Sequence, residues 1–301
     1  GLDGDDRTRN TGAQGSAQYR LTQATTLGGR IFATGSYTGL NVTPAALFTA
    51  IVPSSGIVAA IPSVTFTPQL NDPDSSRHSR FFAGLLTVTR QLAPGSSLRG
   101  YYHGFTSSRD NRDGPLGAGF QPPFANNNLF DGRIDTGGAR GDFSLGGTRQ
   151  LSLGYEFERE RFDNRSREEN PAGGVNARTR ITQASHALFA QQQMRLLADR
   201  LQISFSGRMQ RFGLGQPTFA GGSPAYTGST LTTPPNAYTG DVALSYFMPS
   251  AGTKLRSHFG NAYRSPTLYE RFGTSFYGGF FSPYGDPRLA PERSLSVDAG
   301  L

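Results

Sequence analysis

Apolar and polar residues alternate one for one through much of this chain. This is the period of a strand whose two faces meet different surroundings. In 201–209, LQISFSGRM, Leu201, Ile203, Phe205, Gly207 and Met209 fall on one side, and Gln202, Ser204, Ser206 and Arg208 on the other. In 151–158, Leu151, Leu153, Tyr155 and Phe157 oppose Ser152, Gly154, Glu156 and Glu158. Tyr238, Val242, Leu244 and Tyr246 oppose Thr239, Asp241 and Ser245; Leu295, Val297, Ala299 and Leu301 oppose Ser294, Ser296 and Asp298. Weaker copies at 15–24, 29–40, 80–92, 97–108, 137–147, 178–197 and 253–260 bring the expectation to about eleven strands.

The connections between these windows alternate in length. Short ones fall at 25–28, 93–96, 148–149, 198–199 and 249–252; long ones at 41–79, 109–136, 165–177, 214–235 and 261–291. Loops sorted this way to two ends mark a transmembrane barrel with short periplasmic turns and long extracellular loops. A soluble sandwich or propeller gives no reason for the sorting. The polar side of the alternation carries Arg99, His103, Asp142, Glu156, Glu158, Gln191, Gln193, Arg195, Arg208, Asp241, Lys254, Arg256 and Asp298. A lipid-facing Arg or Lys near midplane costs about 2–4 kcal/mol, so these side chains are expected to face a wide, wet lumen. The fold class is therefore all-β: an antiparallel up-and-down barrel, here a partial one.

Composition supports this class. Hydrophobic residues are only 36% of the chain and charged ones 17%, yet aromatics reach 11%, and the mean hydropathy is −0.43. One apolar face per strand accounts for both figures; a large two-layer core does not. The net charge is +7, with Lys254 the single lysine among 29 basic residues. The arginines are spread out rather than gathered on one helix, which speaks against nucleic acid as a partner. There is no cysteine, hence no disulfide framework or thiolate site. No window of 18 apolar residues exists, so no transmembrane helix is expected. The chain opens GLDGDDRTRN, with neither an initiating Met nor a signal peptide, and closes at Leu301 inside a strand pattern. An odd strand count and open edges in lipid lead us to expect a piece truncated at both ends, with residues 1–301 forming one partial barrel domain.

The stretch 261–292 breaks the alternation. Aromatics, glycines and prolines are too interspersed there for a helix, and the stretch is too long for a turn. Pro266, Pro287 and Pro291 cannot donate to a ladder and mark where pairing stops. YRSPTLYERFG (263–273) followed by GDPRLAPERSLSVDAG (285–300) resembles the barrel motif of TonB-dependent outer-membrane receptors, roughly G-F-R-A-P-x-L-x-E-L-F-G and then G-N-P-x-L-x-P-E-x-S. Tyr263, Arg264, Ser265, Pro266, Leu268, Tyr269, Glu270, Phe272 and Gly273 match the first half. Gly285, Asp286, Pro287, Leu289, Pro291, Glu292 and Ser294 match the second. Asp286 stands for the usual Asn, and Arg271 and Arg293 are further departures.

The resemblance implies a 22-stranded barrel of the Gram-negative outer membrane, closed by an N-terminal plug domain that lies outside this chain. It implies active import of a bulky scarce nutrient, such as a ferric siderophore or cobalamin, driven through a TonB-type energy-coupling protein. Outer-membrane lipid and lipopolysaccharide would surround it, and no cofactor is implied. Arg264, Glu270 and Glu292 are expected to pair with one another or with the plug. The motif residues Tyr263, Arg264, Pro266, Leu268, Glu270, Gly285, Asp286, Pro287, Leu289, Pro291 and Glu292 are read as wall and plug-seat elements.

Ligand contact is instead expected from exposed loop aromatics, which suit stacking on a bulky amphipathic molecule. These are Phe276, Tyr277, Phe280, Phe281 and Tyr284, with Phe120 and Phe124 and, beside them, Phe130. The loop pieces RDNRD (109–113) and NRSREEN (164–170) are candidates for anionic ligand or lipopolysaccharide phosphates. Catalytic signals are poor. His78, His103, His186 and His258 show no metal-ligand spacing, with His103 and His258 reading as lumen wall. Glu156, Glu158 and Glu160 line one strand face, and nucleotide-binding and nucleophile-elbow motifs are absent. A plugless porin, or less readily an outer-membrane barrel enzyme, remain the alternatives.

Overall fold

A computed structural model describes residues 7–41, 71–116, 124–169, 176–221, 231–277, 280–283 and 285–301. The strands are β1 (Thr8–Arg20), β2 (Thr25–Asn41), β3 (Asn71–Ala93), β4 (Ser96–Asp113), β5 (Asn126–Leu145), β6 (Arg149–Glu168) and β7 (Asn176–Leu196). They continue as β8 (Leu201–Leu214), β9 (Thr218–Ala220), β10 (Ala237–Met248), β11 (Thr253–Arg264) and β14 (Glu292–Gly300). All belong to one antiparallel sheet in the order β1-β2-β3-β4-β5-β6-β7-β8-β10-β11-β14, with β9 paired to β7. Between β11 and β14 lie one short helix, α1 (Leu268–Phe272), and the hairpin β12 (Thr274–Tyr277) and β13 (Phe280–Pro283).

The eleven strands of the main path fall where the alternation places them, but most run longer toward the long loops. β3 has 23 residues and β6 has 20. At about 3.3 Å per residue β6 runs roughly 65 Å, well beyond an apolar band about 25 Å tall. RDNRD (109–113) is consequently the end of β4, and much of NRSREEN (164–170) the end of β6, not loop. β8 and β9 behave as one interrupted strand. β8 pairs with Gln183–Leu196 of β7 and β9 with Arg178–Arg180; Pro217, between them, cannot donate to a ladder.

The turns are short for local reasons. Pro94-Gly95 links β3 to β4, with Gly95 at φ +74°, a value that a two-residue turn ending in Gly adopts without strain. The first turn corrects the sequence reading. It occupies residues 21–24, ahead of the expected 25–28, because the Thr22 hydroxyl accepts from the Ala24 and Thr25 amides (3.2 and 3.0 Å) and closes it without glycine.

Register fixes the two faces. On β6, Leu151, Leu153, Tyr155 and Phe157 point outward with Phe143 and Ala139 of β5 and Leu188 of β7. Glu156, Glu158 and Glu160 point to the lumen with Thr136 and Ser185. Every polar residue assigned to the lumen from the alternation lies on that face, from Arg99 on β4 to Asp298 on β14. The outward aromatics do not close into a core between sheets: Phe205 and Phe259 are 45% and 53% exposed. Above the band the outward face becomes charged. β6 continues outward with Arg159, Arg161, Asp163, Arg165 and Arg167, β5 with Asp135, Arg133 and Asp131, β7 with Arg180 and Arg178, and β3 with Arg80. Charge thus reports the lumen only within the band.

The one buried apolar cluster among the described residues sits on the lumen face near the long loops. Phe130, Phe162 and Ile181 of the wall pack against Leu268 and Phe272 of α1, with Leu214, Phe219 and Leu231 at its edge. Among the described residues no helix is long and apolar enough to cross a membrane.

Candidate functional site

The chain between β11 and β14 folds back onto the lumen wall, and α1 is its anchor. Thr267 and Glu270 form a capping box: the Thr267 hydroxyl accepts from the Glu270 amide, and Glu270 Oε2 accepts from the Thr267 amide at 2.8 Å. The pattern Thr267-x-x-Glu270 is a helix start that the proline-rich context obscures, so the expectation of no helix here is corrected. Leu268 and Phe272 are fully buried against the wall. The Leu268 amide donates to Glu160 Oε1 (3.2 Å), and the Thr274 amide and hydroxyl both donate to Asn164 Oδ1 (2.8 Å each).

The second half of the motif closes the far end of the helix. The Gly285 amide donates to the Gly273 carbonyl (2.9 Å) and the Asp286 amide to the Glu270 carbonyl (3.0 Å). A Cβ on Gly285 would stand 2.6 Å from the Gly273 nitrogen. Arg271 is buried and donates to the carbonyls of Thr232 and Pro287 (2.8 and 2.9 Å); burial lowers its pKa from the ordinary arginine value. Arg264 bridges the two motif halves, 2.5 Å from Glu270 and 3.0 Å from Glu292. That contact holds the Glu270 carboxyl below its ordinary range, aided by the Thr267 amide. The side chain of Arg288 does the same for Asp286. Tyr263 donates to the Pro235 carbonyl, Pro266 directly precedes the Thr267 cap, Leu289 is exposed, and Pro291 adjoins the start of β14.

Beside α1 the lumen wall holds a cavity of about 490 Å³, walled by Phe81, Phe105, Phe130, Phe162 and Tyr269, with Arg109, Glu160 and Ser79 among its polar groups. Phe32, Phe81 and Phe105 meet edge to face, 5.7 and 4.7 Å between successive ring centres. Tyr269 stands edge-on to Phe130 and Phe162. Arg109 lies over Phe130 at 4.8 Å and donates to the Tyr269 hydroxyl at 3.0 Å, while its buried Nε has no partner among the described residues. Flat rings beside one guanidinium offer stacking surface and a fixed positive charge together.

Of the expected ligand residues, Phe276 lies opposite Phe281 and Tyr277 opposite Phe280 in the β12–β13 hairpin; their side chains, with Phe120 and Tyr284, lie outside the described residues. Phe124 is half-buried just before β5 and is not part of the cavity wall. Phe81, Phe105 and Phe162 were not singled out from sequence, whereas Arg109 belongs to RDNRD (109–113), expected to meet an anionic ligand. The signal of the three rings is a Phe at a position where the alternation calls for a polar residue.

Asp72, Asp74 and Asp113 bring carboxylate oxygens within 4.8 Å of one another. Backbone amides occupy this group: Asp72 accepts from Asp74 and Ser75, and Asp74 from Gly114 and Leu116.

An antiparallel meander with an apolar belt outside, charge inside and a folded-in lumen element defines the wall of an outer-membrane β-barrel. The model of the TonB-dependent receptor-like β-barrel matches residues 3–301, and the chain belongs to that family. Its proteins are transporters of the Gram-negative outer membrane, not enzymes. Similar solved structures include BauA, the ferric preacinetobactin receptor of Acinetobacter baumannii (10% identity, TM-score 0.56, 97% of this chain and 44% of that one). The copper transporter OprC (10%, 0.65, 98% and 42%) and the RagAB peptide transporter (12%, 0.61, 98% and 38%) are also similar. The chain therefore spans less than half the length of these structures, and at such identities they show the fold alone. No curated protein matches it in sequence.

Proposed function

We propose that this chain is barrel wall of an active importer for a bulky, scarce nutrient of the metal-chelate type, a ferric siderophore or cobalamin. A plug domain would seat against the lumen face, and a TonB-type protein would supply energy through it. The observation that carries the reading is the lumen cavity in which aromatic rings surround Arg109, because it suits a large ligand with flat and anionic parts. The motif residues hold α1 against the wall and thereby hold Tyr269 in place. The hairpin aromatics Phe276, Tyr277, Phe280 and Phe281 stand next along the chain and would extend the contact, with Tyr284, Phe120 and Phe124 as further candidates.

The test uses the full-length protein with radiolabelled ferric siderophores of several chelate classes and with cobalamin. At least one is expected to bind, and Arg109→Gln and Phe105→Ala are expected to weaken it roughly tenfold, about 1.4 kcal/mol, with melting unchanged. Small-solute conductance without energy input, and no saturable binding, would favour a diffusion porin instead.

A further inference from the structure

We propose that the outward face of β3–β7, just above the apolar band, binds the phosphorylated headgroup of an outer-leaflet glycolipid. This face holds a depression of about 630 Å³ whose walls include Arg80, Arg133, Arg161 and Arg180, with Phe82 among its apolar groups. Register places these side chains on the face opposite the lumen, in adjoining rows: Arg80 and Arg180 in one, Phe82, Arg133 and Arg161 in the next.

Three carboxylates share the patch, and they do not balance it. Asp135 serves Arg133 at 2.8 Å and Arg161 at 3.6 Å; Asp163 serves Arg165 at 3.3 Å, Arg180 at 3.1 Å and Arg178. Asp131 is the third. No ion pair within 4.0 Å involves Arg80 or Arg159 among the described residues. The guanidinium ends stay in reach of a partner, with the side chains of Arg133 and Arg180 51% and 55% exposed.

Depth selects the occupant. On β6 the charges begin one outward position beyond Phe157, and Tyr102 and Tyr155, both over 40% exposed, form the aromatic rim beneath them. That is where lipid phosphates lie. Guanidinium is the side chain that takes phosphate through two parallel hydrogen bonds. Phe82, 45% exposed, gives the patch the apolar floor that an amphiphile needs and a free anion does not.

The site is tested on full-length protein stripped of lipid, titrated with bis-phosphorylated lipid A. Each arginine is expected to contribute roughly fivefold, so the double variant Arg133→Gln/Arg161→Gln should bind roughly 25-fold more weakly. Arg99→Gln, a lumen change, should leave affinity intact. Dephosphorylated lipid A should bind weakly and be indifferent to the substitutions. Wild-type affinity in the double variant, or equal affinity for the dephosphorylated lipid, overturns the site. Displacement of lipid A by millimolar inorganic phosphate overturns the glycolipid in favour of a free anion. If the double variant loses its fold, the single exposed change Arg159→Gln takes its place: a loss of roughly fivefold supports the site, and wild-type affinity overturns it.

Discussion

The two faces of β6 carry different residues because they meet different surroundings. Its lumen face runs Ser152, Glu156, Glu158, Glu160, Phe162 and Asn164; its outward face runs Leu153, Tyr155, Phe157, Arg159 and Arg161. Moving from Phe157 to Arg159 changes the outward medium from lipid to water, whereas moving from Glu160 to Phe162 enters the footprint of α1. An apolar residue therefore means lipid on one face and a packed lumen element on the other. A charge means the reverse: polar lumen on one face, and on the other a place where the bilayer has ended.

The contrast breaks hardest at the lumen element. Phe272→Ala removes a fully buried ring from the contact with Phe130, Phe162 and Ile181 and should cost about 3–5 kcal/mol of local stability. Faster hydrogen exchange in 265–277 would register it; unchanged exchange would show that α1 is not anchored there. The outward face gives the next largest effect. Leu153→Arg places a charge in the band and should cost about 2–4 kcal/mol in bilayer unfolding. Gln150→Arg, on the lumen face of the same strand, should stay within about 0.5 kcal/mol. Equal costs would mean that the faces are misassigned.

The same contrast explains what could be read from the sequence. Strand number and the lumen set were legible because alternation is local, and Leu201–Met209 carries it without its neighbours. The short turn expected at 148–149 falls instead at 146–148, on Gly146 and Gly147 at φ +67° and +75°, glycines that the strand pattern absorbs. The turn at 21–24 was not legible, because Thr22 builds it with a hydroxyl and the glycines that look like a turn, Gly28 and Gly29, belong to β2. The site was legible only in part. Arg264 is close in sequence to Glu270 and far from Glu292, and the pairing expected of their charges is the network that forms. Phe81, Phe105 and Phe162 enter one cavity only through the register of four strands, β3 to β6, which no short window contains. Helix α1 hid because five residues are too few for a period.

A smaller effect sharpens the role of the motif. Gly285→Ala would push a methyl to 2.6–2.7 Å from the backbone of Arg271, Phe272 and Gly273, where no side chain can swing aside. About 1–3 kcal/mol is expected, again local, read as faster exchange in 265–292 with the strands unaffected. If the variant is silent, the segment 285–287 does not close the helix end.

The smallest effect isolates one charge pair. Glu270→Gln keeps a side chain able to cap the Thr267 amide, so the change removes chiefly the ion pair with Arg264. Both partners are partly exposed, 50% and 34%, which limits the pair to about 0.5 kcal/mol at neutral pH. The folded carboxyl lies below its ordinary 4.5, through Arg264 first and the Thr267 amide second. A depressed folded value means that the contribution is complete above about 4.5 and fades as pH falls through the lowered value. Wild type and variant should therefore differ in exchange of 265–277 at pH 7 and approach one another as the pH falls through the carboxyl's depressed range. A difference that persists in acid would place the role of Glu270 in geometry and not in charge.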